Sequence, residues 1–288
     1  MTCHYRVKPD GGAARLRAGL IAGALLLALP QGHARAADWL DDTLRGTFNP
    51  GPAVRWDGVN LGASIGVTNM RSDLSRGLGP LTSRMLTDST VLTEARPNDW
   101  DILENQTTNG RSYGGFIGYN FQWDSLVLGV DAGYNKTSTL ATSSTGSINR
   151  VVATSDDTAH DLTIAGTAST KLIDYATLRM RAGYAFGQFM PYAIVGGAAG
   201  RFDYSSIAAL SDTQTSAGGG APATFNAGPI SESKNNAIVG GFVVGLGLDI
   251  ALTPNMFLRG EYEYVGFAKV NGVNNALNTG RVALGVRF

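Results

Sequence analysis

Ten charged residues stand out by their spacing: Asp131, Arg179, Arg181, Arg201, Asp249, Arg259, Glu261, Glu263, Arg281 and Arg287. Each lies in a segment whose apolar residues recur at every second position, and each takes the opposite parity. Arginines and carboxylates gathered on one face pair with each other, the guanidinium bidentately, so the chemistry they offer is mutual neutralisation in a confined space. The pairs expected first join Arg179, Arg181 and Arg259 to Glu261, Glu263 and Asp131. Other reactive residues are sparse. His160 is the one histidine beyond residue 36, and Asp161 or Ser155 beside it would complete an acid–base pair only if a rigid element held them. A solvated loop position is expected for His160 instead. Asp156, Asp157 and Asp161 lack the glycine-punctuated spacing of calcium loops. Ser216-Ala217-Gly218-Gly219-Gly220 has no following Lys to make a phosphate cradle. Neither an enzyme nor a cofactor or metal site is expected.

The segments that position the ten charges have a period of two and never 3.6, which is the signature of strands. They are 57–67, 113–121, 126–134, 175–184, 189–202, 238–250, 257–264 and 281–288. In the third, Leu126, Leu128, Val130, Ala132 and Tyr134 alternate with Val127, Gly129, Asp131 and Gly133. Leu128 is therefore placed on the apolar face and Gly129 on the charged face, and Gly129→Ala should be milder than Leu128→Arg, which should cost roughly 2–4 kcal/mol if Leu128 faces lipid near mid-membrane.

Gly makes up 38 of 288 residues, about 13 % against a usual ~7 %, while charged residues are 16 % against ~25 % in ordinary soluble domains. A hydrophobic share of 43 % with zero net charge excludes a disordered chain. The longest apolar run, Ala18 to Pro30, has 13 residues, short of the ~20 that a spanning helix needs. Arg6, Lys8, Arg15 and Arg17 precede it and Ala34-Arg35-Ala36 follows, so residues 1–36 read as a cleavable secretory signal cut after Ala36. The competing reading, an uncleaved anchor, suits neither the short run nor Pro30. Cleavage removes Arg6, Lys8, Arg15, Arg17, Arg35 and Asp10, leaving 18 cations against 22 anions. The resulting charge of −4 offers nothing to nucleic acid. Cys3 is removed too, which excludes disulfides and thiolate metal sites.

A soluble sandwich also alternates, so membrane and soluble barrels must be separated by other features. The charged face is crowded with Gly, where a solvated sheet face would favour Lys, Thr and Glu. Aromatics gather at segment ends: Tyr119, Phe121, Trp123, Tyr184, Phe186, Phe189 and Tyr192 at one end, Tyr113, Tyr134, Phe202, Tyr264 and Phe267 at the other, as in the girdles of membrane barrels. Connections alternate between tight turns at 122–125, 187–188 and 251–255 and stretches read as long loops at 68–112, 135–174, 203–236 and 265–280. In hydrocarbon an open sheet edge would leave backbone groups unpaired at several kcal/mol each, so eight strands must close, and eight leave room only for side chains. The expectation is an all-β, eight-stranded antiparallel transmembrane β-barrel over 57–288, preceded by a periplasmic segment at 37–56, with short periplasmic turns and long extracellular loops. Lys136, Lys171, Lys234 and Lys269 each fall where a strand meets a long loop, at the height of lipopolysaccharide phosphates. Outer-membrane lipid and lipopolysaccharide are the expected partners.

Several stretches resemble the small outer-membrane β-barrel family of alphaproteobacteria, the outer-membrane immunogenic or porin-like proteins, related to the OmpA-type membrane domain. They are Arg55-Trp56-Asp57-Gly58-Val59-Asn60-Leu61-Gly62, Gly114-Gly115-Phe116-Ile117-Gly118-Tyr119-Asn120, Leu178-Arg179-Met180-Arg181-Ala182-Gly183-Tyr184, Pro191-Tyr192-Ala193-Ile194-Val195-Gly196-Gly197, Leu252-Thr253-Pro254-Asn255, Arg259-Gly260-Glu261-Tyr262-Glu263-Tyr264 and the closing Gly285-Val286-Arg287-Phe288. Their order spans residues 55 to 288. Val59 and Asn60 depart from the aromatic that the family shows near its Trp-x-Gly, and the first three loops are long for it. The resemblance implies assembly by the outer-membrane insertion machinery, with Phe288 as the terminal aromatic it recognises. Some relatives bind haemin, and some barrels of this size modify lipid A at a rim Ser or His, which are the readings open to His160. The function expected is structural, supporting the envelope and displaying loops without a wide pore; the alternative is a narrow porin or a haemin-binding receptor.

Overall fold

The computed structural model describes residues 54–288; the signal expected at 1–36 and nearly all of the periplasmic segment expected at 37–56 lie outside the described residues. Eight antiparallel strands close into a barrel in sequence order: β1 (Gly58–Asp73), β2 (Gln106–Trp123), β3 (Leu126–Ala153), β4 (Thr158–Tyr184), β5 (Phe189–Ser216), β6 (Ala223–Ala251), β7 (Met256–Phe267) and β8 (Asn274–Arg287). The seam runs from Asn60 opposite Arg287 to Asp73 opposite Asn274. Three tight turns join strands on the periplasmic side. Asp124 and Gly187 take positive φ there, the left-handed conformation that two-residue hairpins demand.

The strands rise to very different heights. β3 to β6 are 27–29 residues long, whereas a tilted strand crosses the bilayer in about 9–11. The stretches read from sequence as loops at 135–174 and 203–236 are therefore mostly strand. Above the last β2–β3 pair (Arg111 and Ser138) and the last β6–β7 pair (Gly241 and Phe267), β3 to β6 continue as a four-stranded extracellular sheet. Thr and Ser hold it together. Thr145 bonds Thr167 at 2.8 Å, Thr213 bonds Thr224 at 3.2 Å, and Asn149 donates to both Asp161 (2.6 Å) and Thr163 (2.8 Å). Such cross-strand hydroxyl pairs stabilise pleated surface without any apolar contrast between faces.

Residues 74–105 form a lid over the extracellular mouth, with α1 (Gly79–Met85), α2 (Thr90–Glu94) and a 3₁₀ turn (Pro97–Asp99). These helices are too brief to register as a 3.6 period, and they occupy part of the stretch read from sequence as a long loop at 68–112. Leu78, Leu81, Leu86, Val91 and Leu103 of the lid are buried against Leu162, Ile164, Ala208 and Leu210 on the inner face of the extracellular sheet. Ser89 caps α2, accepting from the Leu92 N–H at 3.2 Å. Glu94 accepts from the Ser155 backbone (2.9 Å) and hydroxyl (2.5 Å), tying α2 to the β3–β4 turn.

Tyr113, Tyr119, Phe121, Trp123, Tyr134, Tyr184, Phe186 and Phe189 point outward, in the two girdles. Tyr192, Phe202 and Phe267 do not: all three are buried inside. They fill the barrel end caps rather than the lipid interface.

Candidate functional site

The inward residues of β7 show how the interior is layered: Phe257, then Arg259, Glu261 and Glu263, then Val265 and Phe267. An apolar cluster of Trp56, Phe116, Val127, Met190, Tyr192 and Phe257 closes the periplasmic end, and a larger one including Met70, Tyr175, Phe202, Tyr204, Val243 and Phe267 closes the extracellular end. Between them lies the charged layer. Trp56, the last residue of the N-terminal segment, is buried against Phe257 and Arg287, with its backbone N–H donating to the Gln122 side-chain oxygen at 2.5 Å.

Nine of the ten charged residues face this interior. Arg259 grips Asp249 bidentately, Nε to Oδ1 at 2.8 Å and Nη2 to Oδ2 at 2.9 Å, while Arg181 adds a third bond to Asp249 at 2.8 Å. Asp131 takes Arg259 at 3.3 Å and lies 3.6 Å from both Arg179 and Arg181. Arg179 donates to Glu261 at 2.6 Å and to Glu263 at 2.8 Å; Arg281 reaches the same two carboxylates, bonding Glu261 through Nε and Nη2 and Glu263 at 2.7 Å. Tyr192 donates to Glu261 at 2.9 Å and Tyr175 to Glu263 at 3.4 Å. The guanidinium of Arg259 lies 4.2 Å from the Phe116 ring centre and that of Arg181 4.0 Å from Tyr192, so apolar faces cover what the carboxylates leave open.

Two of the expected members stand apart, and that balances the charge. Arg201 points outward, its side chain 43 % exposed, and pairs with Asp174. β5 carries apolar residues on both faces, with Tyr192 and Ile194 inside and Val195 outside, so apolarity alone misassigned its phase. Arg287 sits at the periplasmic end, donating to the Pro254 carbonyl at 2.6 Å and covering Trp56. The central layer is then Arg179, Arg181, Arg259 and Arg281 against Asp131, Asp249, Glu261 and Glu263, net zero. Asp249 is absent from the pairs expected first; Ala251 pairs with Phe257 across residues 252–256, and Asp249 and Arg259 are the cross-strand pair two residues further from the turn. A cavity lined by Ser64, Phe116, Asn135, Arg179, Arg259 and Glu261 measures about 10 Å³, room for one water at most.

His160 departs furthest from expectation. It lies within β4, 4 % exposed, with Nδ1 2.8 Å from Asp212 and Nε2 without a hydrogen-bond partner. The parity that buries Leu162 and Ile164 under the lid buries His160 as well. Asp212 also accepts from Gln214 at 3.0 Å. With Nδ1 engaged and the lid above it, His160 presents no ligand atom to solvent. Asp161 faces the other way, bonded to Asn149, and Asp156 accepts from Thr154 at 2.5 Å, a bond that holds its carboxyl below the usual carboxylate range. Replacing Asp212 by Leu should strand the His160 ring and loosen the lid by about 1–3 kcal/mol, whereas the pair His160→Leu/Asp212→Leu should recover most of that. Protease nicking within 74–105 reads the effect; equal nicking of the single and double variants would contradict it.

Lys136, Lys171, Lys234 and Lys269 are all exposed. Phe288 donates its N–H to the Val59 carbonyl at 2.9 Å, completing the seam, and its ring is 77 % exposed.

The family model for the outer membrane protein beta-barrel domain matches residues 24–288. The chain belongs to this family. Its place is the bacterial outer membrane. Among solved structures, it is similar to the attachment invasion locus protein Ail of Yersinia pestis, at 14 % identity and a TM-score of 0.34 over 81 % of this chain and 99 % of that one. Neisserial surface protein A is 16 % identical with a TM-score of 0.37, covering 80 % of this chain and 97 % of the other. The N-terminal barrel of Pseudomonas aeruginosa OprF is 13 % identical with a TM-score of 0.30, covering 78 % and 97 %. No curated protein matches the sequence.

Proposed function

We propose that this member of the family is a sealed structural barrel that anchors and displays its lidded extracellular sheet, without conducting and without catalysing a reaction. The observation that carries this reading is the neutral layer of four arginines and four carboxylates, closed at both ends by apolar clusters and leaving space for a single water. An ion entering it must displace paired, desolvated charges, and the cavity within the layer, about 10 Å³, is too small for a continuous water column. Reconstituted in planar bilayers, the protein should give no steady conductance; open channels at moderate voltage would replace this reading with a narrow porin. The order of the motifs along the chain favours the alphaproteobacterial immunogenic and porin-like members.

Two partners belong to the same proposal. Outer-leaflet lipid and lipopolysaccharide surround the outward residues, with Lys136, Lys171, Lys234 and Lys269 reaching toward its phosphates. The insertion machinery reads the β8 end at Phe288. Deleting Phe288 should leave the protein unassembled in the periplasm, and a wild-type level of heat-modifiable barrel in the membrane without it would remove that role.

A further inference from the structure

The outward face of the tall wall carries a charged row at the outer girdle. Lys136 on β3, Asp174 on β4 and Arg201 on β5 are consecutive cross-strand partners, beside Tyr113 and Tyr134. The Asp174 carboxylate has no oxygen left over: Oδ1 accepts from Arg201 Nε at 3.2 Å, and Oδ2 from Arg201 Nη2 and from the Tyr134 hydroxyl at 2.8 Å. Arg201 is thereby fixed by one edge of its guanidinium, with Nη1 turned away from the carboxylate. Lys136 is exposed, and its ammonium interacts electrostatically with the same Asp174.

Backbone irregularities converge on this row. All three ladders of the tall wall shift register there: β3–β4 between Lys136 and Leu140, β4–β5 between Leu172 and Asp174, β5–β6 between Phe202 and Tyr204. Bulges at barrel rims re-aim side chains. The shift on β4 puts Lys171 and Asp174, three residues apart, on the same outward face, where a regular strand would separate them. Lys171 lies opposite Asp203, whose carboxylate accepts from the Asn236 N–H at 2.9 Å. The cluster thus holds three cations against two carboxylates that are already engaged, and Lys136 and Arg201 stand two strand spacings, about 10 Å, apart.

We propose that Lys136 and Arg201 form a clamp for a phosphate of the bisphosphorylated glycolipid of the outer leaflet, with Asp174 and Tyr134 as positioning residues that orient Arg201. This rests on the lipid-facing reading above and narrows it from four scattered lysines to one built subsite that includes an arginine. A planar guanidinium edge and a mobile ammonium converging from two sides suit a tetrahedral dianion, and the girdle fixes the headgroup at that height.

The test is native mass spectrometry of the detergent-solubilised mature barrel with added bisphosphorylated lipid A, each variant first checked for the folded, heat-modifiable form. Wild type should retain the lipid, and Lys136→Gln/Arg201→Gln should lower retention about tenfold while Arg84→Gln, an exposed cation of the lid, leaves it unchanged. Asp174→Asn should weaken retention because Arg201 loses its support; tighter retention would reveal simple attraction to net charge and overturn the clamp. Retention by Lys136→Gln/Arg201→Gln equal to wild type, together with loss in Lys171→Gln/Lys234→Gln/Lys269→Gln, would overturn the clamp and keep the broader lipid reading. Absence of retention by wild type would end both. Inorganic phosphate at the lipid concentration should not compete, and competition would overturn the assignment to a lipid.

Discussion

Replacing Asp249 by Ala is expected to destabilise the barrel by about 3–5 kcal/mol, the range found when one partner of a buried ion pair is removed. Asp249 is 1 % exposed and accepts three charge-assisted bonds, two from Arg259 and one from Arg181. Without it, these two arginines share Asp131, which they reach at only 3.3 and 3.6 Å and which Arg179 also approaches. One guanidinium charge is then uncompensated in a layer sealed from water at both ends, and neither strand can swing outward because each is hydrogen-bonded on both sides. Urea unfolding in lipid vesicles measures the loss, with the buried Trp56 as an intrinsic fluorescent reporter. Adding Arg181→Met returns the layer to zero charge and should recover part of the stability. A loss below about 1 kcal/mol for Asp249→Ala would mean that water enters the layer freely, and the sealed-barrel reading would fall with it.

The residues of this layer were legible wherever one face of a strand is Gly or charge and the other Leu, Val or Met. β3 and β4 are of that kind: Leu128, Val130, Leu178 and Met180 belong outside, which puts Asp131, Arg179 and Arg181 inside. The reading failed where that contrast is missing. β5 is apolar on both faces, so alternation alone points Arg201 inward and Tyr192 outward, each opposite to its position in the structure. Beyond the rim, Thr, Ser and Ala occupy both faces of β3 to β6, and alternation leaves no trace in hydropathy even though cross-strand hydroxyl pairs keep the ladder regular. His160 was lost for the same reason. Its burial depends on the lid, a distant segment whose helices of seven and five residues are set by Leu78, Leu81 and Val91 packing on β4 and β5 rather than by any periodicity of their own. The clamp row was invisible because three register shifts decide which side chains share its face.

Outward positions of β3 give the sharpest test of where the bilayer sits. Leu126, Leu128 and Val130 are each nearly half exposed on the same face, and Val130 lies about midway between the periplasmic turn and Lys136 at the outer rim. An arginine at the bilayer midplane of a barrel costs about 2–4 kcal/mol, falling to about 0–1 near the interface, because a side chain close to the headgroups can reach water. Val130→Arg should therefore cost the full amount, Leu128→Arg less, and Leu126→Arg, the first residue of the strand, very little. The inward neighbour behaves differently from the sequence expectation. A Cβ at Gly129 would lie 2.9 Å from Arg181 Cγ and from the Tyr119 carbonyl and closer still to Asn120, so Gly129→Ala should be clearly destabilising, while Gly197→Ala, with nothing within 4 Å, should be neutral. Refolding each variant into vesicles of one lipid thickness and comparing urea midpoints gives the profile. Equal costs at residues 126, 128 and 130 would mean that this face does not cross a hydrocarbon layer at the assigned depth, whereas a single maximum at Val130 fixes the membrane midplane and, with it, the height of Lys136, Asp174 and Arg201 at the outer girdle.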